Sequence, residues 1–195
     1  MITTSHIIYS WSLFTWLNHK KPNRNVLLHA IIAGALFPDI SIFLFYWYYR
    51  FIGGVSDTTI WSDLYFNSPW SVVITLSHSF IIWPALLVVA ILFSWPILRW
   101  LSFGALMHSV TDFFVHNSDA YAHLLPLSNW KFTSPISYWD PNYYGILIGR
   151  LDAIFILMLL FYLYKQTKSK LLKRSIVLLV LFYSFAFIGP HAIIH

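Results

Sequence analysis

Long apolar runs separated by short polar segments dominate the chain. A helix that crosses a bilayer needs about 20 mainly apolar residues. Four runs of this kind predict transmembrane helices: Asn25 to Trp47, Trp70 to Phe93, Ile146 to Tyr164 and Ser175 to His195.

Two further segments predict helices of a less regular kind. The apolar run from His6 to Leu17 is too short to cross a bilayer upright, and this favours a short, tilted or re-entrant helix. Trp100 to His116 predicts a helix that follows a tight hairpin at Pro96 and leads into a polar stretch. We therefore expect an all-α integral membrane protein, in which residues 1–195 form one bundle of five to six transmembrane helices.

Composition and charge support this interpretation. Of the residues, 58% are hydrophobic and only 10% are charged, against about 25% charged in a soluble domain. Most of the 12 Lys and Arg residues lie in loops that would share one side of the membrane. The positive-inside rule places those loops in the cytoplasm, and the loop 117–145 then faces outward from a bacterial inner membrane. The net charge of +5 indicates contact with anionic lipid headgroups, and not with nucleic acid.

The polar stretch carries the strongest sign of chemistry. His108, Asp112 and His116 are spaced by four residues, so a helix presents them on one face. Histidine and carboxylate at this spacing are typical of metal ligands. Eight residues of helix rise about 12 Å, so all three can be metal ligands only if the helix breaks or if two ions bind. Asp119 and His123 follow a turn signal and lie on a loop that can fold back.

The predicted topology brings other polar side chains to the same depth. Asp39 and His78 lie as deep in their helices as His108 does, and His6 reaches that level if the first helix enters from outside. Each buried ionisable group costs about 3 kcal/mol on insertion scales, so such a group needs a partner. The chain has no cysteine and no glutamate, so histidine and aspartate supply the ligands. We expect a polar cavity that contains a divalent metal.

Other interpretations exist for single residues. His78 alone is compatible with a hydrogen-bonded core residue, and Asp39 alone with a proton relay or an ion pair with Arg150. An interfacial aromatic belt accounts for the aromatic residues of the outer loop. The conjunction of these groups at one depth favours the metal site.

Three motifs resemble those of a known family. The segments GALFPDI (34–40), LSHSF (76–80) and GALMHSVTD (104–112) are similar to motifs of the bacterial inner-membrane, metal-dependent hydrolases known as the DUF457 family, whose members are described as LexA-regulated. Asp39, His78 with Ser79, and His108 with Asp112 match, and His6 matches an early histidine. Ser41 stands where many members have a second aspartate.

The resemblance implies a membrane-bound metal-dependent hydrolase. Its metal, with zinc favoured, would be held by residues drawn from His6, Asp39, His78, His108, Asp112 and His116. Asp119 or His123 would be the general acid or base. Lys131, Arg150 and Ser79 would contact a phosphoester or lipid-linked substrate. The alternatives are a small ion- or proton-coupled transporter and a structural membrane protein without catalytic activity.

Overall fold

The predicted helical architecture is confirmed. The structure is a computed structural model that describes residues 1–18 and 24–188, and these residues contain no β-strand. The longer helices are α1 (Thr3–Leu17), α2 (Arg24–Trp47), α3 (Trp70–Ser77), α4 (Ile82–Leu92), α5 (Pro96–Phe113), α6 (Gly145–Gln166) and α7 (Lys170–Tyr183). Residues 189–195 of the last predicted span, and the basic residues Lys20 and Lys21, lie outside the described residues.

Two regions differ from the expected elements. The run from Trp70 to Phe93 is divided into α3 and α4, which meet at a bend of 45°. At the bend, the Ser79 hydroxyl accepts hydrogen bonds from the backbone N–H groups of Ile81 and Ile82 and so caps α4. The segment 48–69, which connects two of the predicted transmembrane runs, contains short helical pieces: Tyr48–Ile52, Asp57–Thr59, Ile60–Leu64 and Tyr65–Asn67.

The number of candidate membrane spans is smaller than the five to six expected. Within the described residues, Asn25–Ile52 and Gly145–Gln166 are long and apolar enough to cross a membrane, and the bent pair α3–α4 would be a third span. Helix α1 has 15 residues and α7 has 14, so both are too short by themselves. Helix α5 has 18 residues, but its polar side chains lower its hydropathy, so it is not among the candidate spans.

The described surface carries many large apolar side chains. Phe43, Val88 and Phe161 are more than half exposed, and other large apolar residues on α2, α4 and α6 are similarly accessible. A soluble monomer rarely exposes such extended apolar area. This surface is compatible with membrane association.

Helices α2 and α5 approach each other closely at two glycines. A Cβ atom on Gly34 would lie 1.9 Å from the carbonyl oxygen of Leu101, and one on Gly104 would lie 2.2 Å from that of Ile31. Both distances are far below van der Waals contact, so only glycine fits. This close packing brings Asp39 on α2 and His108 on α5 to neighbouring positions.

Helix α1 is fixed to the carboxyl-terminal helices by a polar network. Asp152 on α6 accepts hydrogen bonds from the hydroxyl groups of Ser5 and Tyr9. The Tyr183 hydroxyl lies 2.8 Å from Thr4 Oγ1 and 2.9 Å from Ser5 Oγ. The residue that follows Ser5 is His6, so this network fixes the helical turn that carries one of the candidate ligands.

Candidate metal centre

Six of the predicted site residues lie together in the interior. Their side chains come from α1, α2, the α3–α4 bend, α5 and the loop after α5: His6, Asp39, His78, His108, Asp112 and His116. All six are buried, and Asp39, the most accessible of them, is 7% exposed.

The end of α5 brings His116 into this cluster. The helix ends at Phe113, three residues before His116. The chain then turns, and His116 Nε2 lies 3.4 Å from Asp112 Oδ1. His108 Nε2, one turn earlier on the helix, lies 3.1 Å from Asp112 Oδ2. The helix therefore breaks before His116, and this break allows His108, Asp112 and His116 to converge.

Asp112 is the centre of the cluster because each of its carboxylate oxygens faces two histidines. Oδ1 lies 3.1 Å from His6 Nε2 and 3.4 Å from His116 Nε2. Oδ2 lies 3.1 Å from His108 Nε2 and 3.6 Å from His78 Nε2. The amino group of Met1 is also 2.7 Å from Oδ1.

Asp39 completes one side of the cluster. Its Oδ1 lies 3.5 Å from His108 Nε2 and 4.0 Å from His78 Nε2, and its Oδ2 accepts a hydrogen bond of 2.6 Å from Thr3 Oγ1. Zinc ligands about 2.1 Å from a tetrahedral ion are about 3.4 Å from one another. The observed separations are close to that value. Two sets of three residues are compact enough to hold an ion: His6, His108 and Asp112, and Asp39, His78 and His108.

Backbone carbonyl groups orient two of the histidines. His78 Nδ1 lies 2.7 Å from the carbonyl oxygen of Ile74, and His108 Nδ1 lies 2.7 Å from that of Ala35. A carbonyl oxygen only accepts, so the proton of each neutral ring resides on Nδ1. Each Nε2 atom is therefore left with a free lone pair.

Side chains orient the other two histidines in the same way. The Thr111 hydroxyl donates to the carbonyl oxygen of His108 at 2.8 Å and lies 2.9 Å from His6 Nδ1, so it accepts from that ring. His116 Nδ1 donates to Asp119 Oδ2 at 2.8 Å. Hydrogen bonds of this kind to the second ring nitrogen are typical of metal-bound histidine.

This orientation leaves an electrostatic conflict at the centre. The Nε2 atoms of His6, His78 and His108 are buried and have no hydrogen-bond partner among the residues that the structure describes. Their lone pairs face carboxylate oxygens, and two sets of lone pairs repel each other in a low-dielectric interior. A cation between them removes the repulsion, and protonation of the rings does so as well. The donor set of imidazole nitrogen and carboxylate oxygen suits zinc.

Asp119, predicted as a general acid or base, lies directly beside the cluster. Its Oδ2 accepts hydrogen bonds from His116 Nδ1 and, at 3.0 Å, from Trp139 Nε1. Its Oδ1 is buried and accepts no hydrogen bond from the described residues. Burial acts to raise the pKa of Asp119, but the hydrogen bond and charge of His116 outweigh burial, so the pKa lies below its ordinary value. Asp119 is therefore an ionised partner that orients His116.

His123, the other predicted acid or base, has a different environment. Its Nδ1 donates to the carbonyl oxygen of His78 at 2.8 Å, and its ring stacks on Phe80 at a centroid distance of 4.5 Å. Burial lowers the pKa of His123. These contacts attach the loop to the α3–α4 bend, and they give His123 a structural role next to His78.

The three predicted substrate-binding residues are not brought into the cluster. The Ser79 hydroxyl caps α4 and donates to the carbonyl oxygen of Leu125. Arg150 is exposed on α6. Lys131 is exposed and lines a cavity of about 270 Å³ that Asp119 and Tyr121 also line. Of the three, only Lys131 lies on a surface that reaches a residue of the site.

Two larger cavities border the cluster. One, of about 570 Å³, has His116 and Asp119 among its lining residues, and most of its other walls are aromatic. The second, of about 690 Å³, is almost entirely apolar and lies between α1, α5 and α6; Thr111, the partner of His6, forms part of its wall.

Several supporting residues were missed at the sequence level. Thr3 binds Asp39, Thr111 binds His6, and the ring of Tyr121 stacks on His78 at 4.1 Å. Thr111 directly precedes Asp112 in the GALMHSVTD motif, and this adjacency was the one available signal. Thr3 and Tyr121 carry no comparable signal, because their partners are distant in the sequence.

Comparison of the chain with protein-family profiles, with curated proteins and with solved structures finds no match. The resemblance of the three motifs to the membrane hydrolases therefore stays a prediction.

Proposed function

We propose that this protein is an integral membrane hydrolase that uses a divalent cation, zinc in the first instance, to cleave phosphoester bonds in amphiphilic or lipid-linked substrates. One observation carries the proposal: the buried Nε2 atoms of His6, His78 and His108, which have no hydrogen-bond partner within residues 1–18 and 24–188, converge on carboxylates. Such buried and unsatisfied polar atoms are costly, and a bound cation offsets this cost.

The side of the cluster formed by Asp39, His78 and His108 would hold the cation. Asp112 Oδ2, at 3.6 Å from His78 Nε2 and 3.1 Å from His108 Nε2, adds a fourth donor. A zinc ion bound at such a site would act as a Lewis acid and would lower the pKa of a bound water molecule to about 7. The alternative set of three ligands consists of His6, His108 and Asp112. In this set the ring of His6 stacks on that of His108, with 3.7 Å between the ring centroids.

His116, oriented by Asp119, would transfer the proton from water to the leaving group. Asp119 holds His116 Nδ1, so His116 Nε2 is fixed toward the centre, next to Asp112 Oδ1. A histidine held by a carboxylate is a common general acid–base arrangement. In the proposed reaction the water oxygen bonds to phosphorus and the ester P–O bond breaks. His116 accepts the proton from water and returns it to the alkoxide leaving group.

The apolar cavity supports an amphiphilic substrate. Leu13, Met107 and Phe155 line it together with Thr111, so apolar walls extend to the edge of the centre. An acyl or isoprenoid chain fits a space of about 690 Å³ with this lining. We further propose that α1, α5 and α7 complete a bundle of five to six helices in a bacterial inner membrane, with the loop after α5 facing outward.

The test is the metal content and hydrolytic activity of the detergent-purified chain. We expect stoichiometric zinc in the wild type, its loss in the double variant His108→Ala/Asp112→Ala, and its retention in His29→Ala, which alters an exposed histidine outside the cluster. Zinc-dependent cleavage of bis(p-nitrophenyl) phosphate should occur in the wild type and in His29→Ala and should be lost in the double variant. A wild type without stoichiometric metal, or a fully active double variant, would refute the proposal.

A transporter is the second candidate, and three buried hydroxyl groups favour it. Within the described part of the chain, Ser12, Thr15 and Ser102 have no hydrogen-bond partner, and Thr15 lines a cavity of about 540 Å³ that His29 also lines. These groups provide polar positions away from the cluster. Zinc-driven or proton-driven flux in liposomes, abolished by Thr15→Val and unaccompanied by hydrolysis, would favour transport.

A further inference from the structure

The aromatic cavity beside His116 has the composition of a cation-binding site. Its walls contain six aromatic side chains: Trp61, Tyr65, Phe66, Tyr121, Tyr138 and Trp139. Its other lining residues are Ile42, His116, Ser118 and Asp119, so Asp119 is the anionic group among them and no lysine or arginine contributes. Aromatic faces and a carboxylate both attract an ammonium group.

Asp119 still has one acceptor available. Its Oδ2 accepts hydrogen bonds from His116 and Trp139, but its Oδ1 is buried and receives no hydrogen bond from the described residues. A buried carboxylate oxygen without a donor costs free energy. A ligand that brings N–H donors and a positive charge would satisfy this oxygen, whereas an uncharged polyol would donate a hydrogen bond but no charge.

We propose that this cavity binds the primary ammonium headgroup of an ethanolamine phosphoester, with Asp119 Oδ1 as the hydrogen-bond acceptor and the aromatic walls as the cation–π surface. The inference rests on the proposed function, because it places the phosphoester beside His116 and the lipid chain in the apolar cavity. It defines the substrate class as phospholipids or lipid-linked esters that carry phosphoethanolamine.

His116 connects the cation cluster with the aromatic cavity. Its Nε2 is 3.4 Å from Asp112 Oδ1 and its Nδ1 is 2.8 Å from Asp119 Oδ2. In phosphoethanolamine, two carbons and the ester oxygen separate phosphorus from nitrogen. In the proposed complex the phosphate lies beside His116, and this short chain extends toward Asp119.

The experiment compares two lipids and two soluble headgroups with the zinc-loaded, full-length protein in detergent. Phosphatidylethanolamine and phosphatidylglycerol with identical acyl chains are the substrates, and all phosphorus-containing products are measured by mass spectrometry. Phosphoethanolamine and glycerol 3-phosphate are the ligands for titration calorimetry. We expect phosphatidylethanolamine to have a kcat/KM about tenfold higher or more, and phosphoethanolamine to bind about tenfold more tightly.

Variants on the cavity wall test the cause of the preference. Trp61→Leu and Phe66→Leu alter partly exposed side chains that line the cavity. Both should reduce the preference toward unity, because each should lower kcat/KM for phosphatidylethanolamine more than kcat/KM for phosphatidylglycerol. Trp130→Leu alters a similarly exposed tryptophan that does not line the cavity, and it should keep the full preference.

The outcomes separate the two proposals. Zinc-dependent hydrolysis of both lipids at equal rates, or faster hydrolysis of phosphatidylglycerol, overturns the headgroup inference and leaves the proposed function intact. Selective binding of phosphoethanolamine without hydrolysis of any phosphoester overturns the proposed function and supports the headgroup site. Equal binding of the two headgroups overturns the inference in either case.

Discussion

His108 Nδ1 lies 2.7 Å from the carbonyl oxygen of Ala35, so the backbone of α2 fixes the rotation of a histidine on α5. The contact depends on the close approach at Gly34 and Gly104. Gly104→Ala must separate the two helices, because the new Cβ would lie 2.2 Å from the Ile31 carbonyl oxygen. We expect it to weaken zinc binding about tenfold or more and to destabilise the fold by about 1–3 kcal/mol.

Zinc affinity and thermal unfolding, measured together, test this expectation. Gly149→Ala is the matched control, since its Cβ would meet its nearest neighbour at an ordinary 3.5 Å. Equal zinc affinity in the two glycine variants would show that helix separation does not position His108.

Thr111 should influence the affinity for the cation without being a ligand. Thr111→Val keeps the shape of the side chain but removes the acceptor for His6 Nδ1, so the ring loses its fixed tautomer. Loss of such a supporting hydrogen bond lowers metal affinity about 10- to 100-fold. Competition with a fluorescent zinc chelator measures the change, and the exposed Thr58→Val is the control. Unchanged affinity in Thr111→Val would remove His6 from the ligand set.

Asp119 should matter for turnover more than for metal content. Asp119→Asn leaves His116 without an ionised partner, so we expect kcat to fall about 10²-fold or more, with zinc retained. Elemental analysis and steady-state kinetics on the same preparation measure both effects. Asp63→Asn, an exposed substitution, should behave as the wild type. Zinc loss in Asp119→Asn would indicate that His116 is a metal ligand and not a proton carrier.

The His116–Asp119 pair should make the stability of the chelator-treated protein depend on pH. The pKa of Asp119 is lowered, so its contribution is present above about pH 4 and is lost as the pH falls through the folded value. Burial lowers the pKa of His116, but the charge of Asp112 and the hydrogen bonds raise it overall. The His116 contribution is therefore present below about pH 6.5 and is lost as the pH rises through the folded value.

Thermal unfolding of the wild type and Asp119→Asn between pH 4 and pH 10 measures this dependence. The stability difference between the two proteins should be largest at about pH 4–6.5 and should shrink under alkaline conditions. A difference that grows with pH would contradict the assigned ion pair.

Filling the apolar cavity should discriminate substrates by chain length. Leu13→Trp places a larger side chain in the wall of the space between α1 and α5. We expect KM for a phospholipid with long acyl chains to rise severalfold, whereas KM for a short-chain analogue and for an aryl phosphoester should remain unchanged. Equal changes for all three substrates would show that the cavity does not hold the lipid chain.

The sequence allowed good placement of the helices, but it did not predict their interruptions. Helices α2 and α6 follow from long apolar runs, and the boundaries match closely. The break between α3 and α4 was not predicted, because the apolar residues on both sides of it together have the length and hydropathy of one span, and the capping by Ser79 is a local hydrogen-bond effect. The candidate spans among the described residues are fewer than the five to six expected, because α1 and α7 are short by themselves and α5 carries polar side chains.

The cluster was accessible to sequence reasoning because histidine and aspartate are rare in apolar helices. Comparing depths along the predicted helices brought Asp39, His78 and His108 to one level, and they are neighbours in the structure. The hydrogen-bond partners were not accessible, since Ala35 and Ile74 contribute only backbone carbonyl groups. The role of His123 was also hidden, because its partner is the backbone of His78.

The network between α1 and α7 determines the order in which the protein can assemble. Thr4 and Ser5 are synthesised well before their partner Tyr183. Asp152, the other anchor of α1, also follows α1 in the sequence. Helix α1 therefore gains these anchors only after α6 and α7 have been synthesised, and the turn that carries His6 is fixed at that stage.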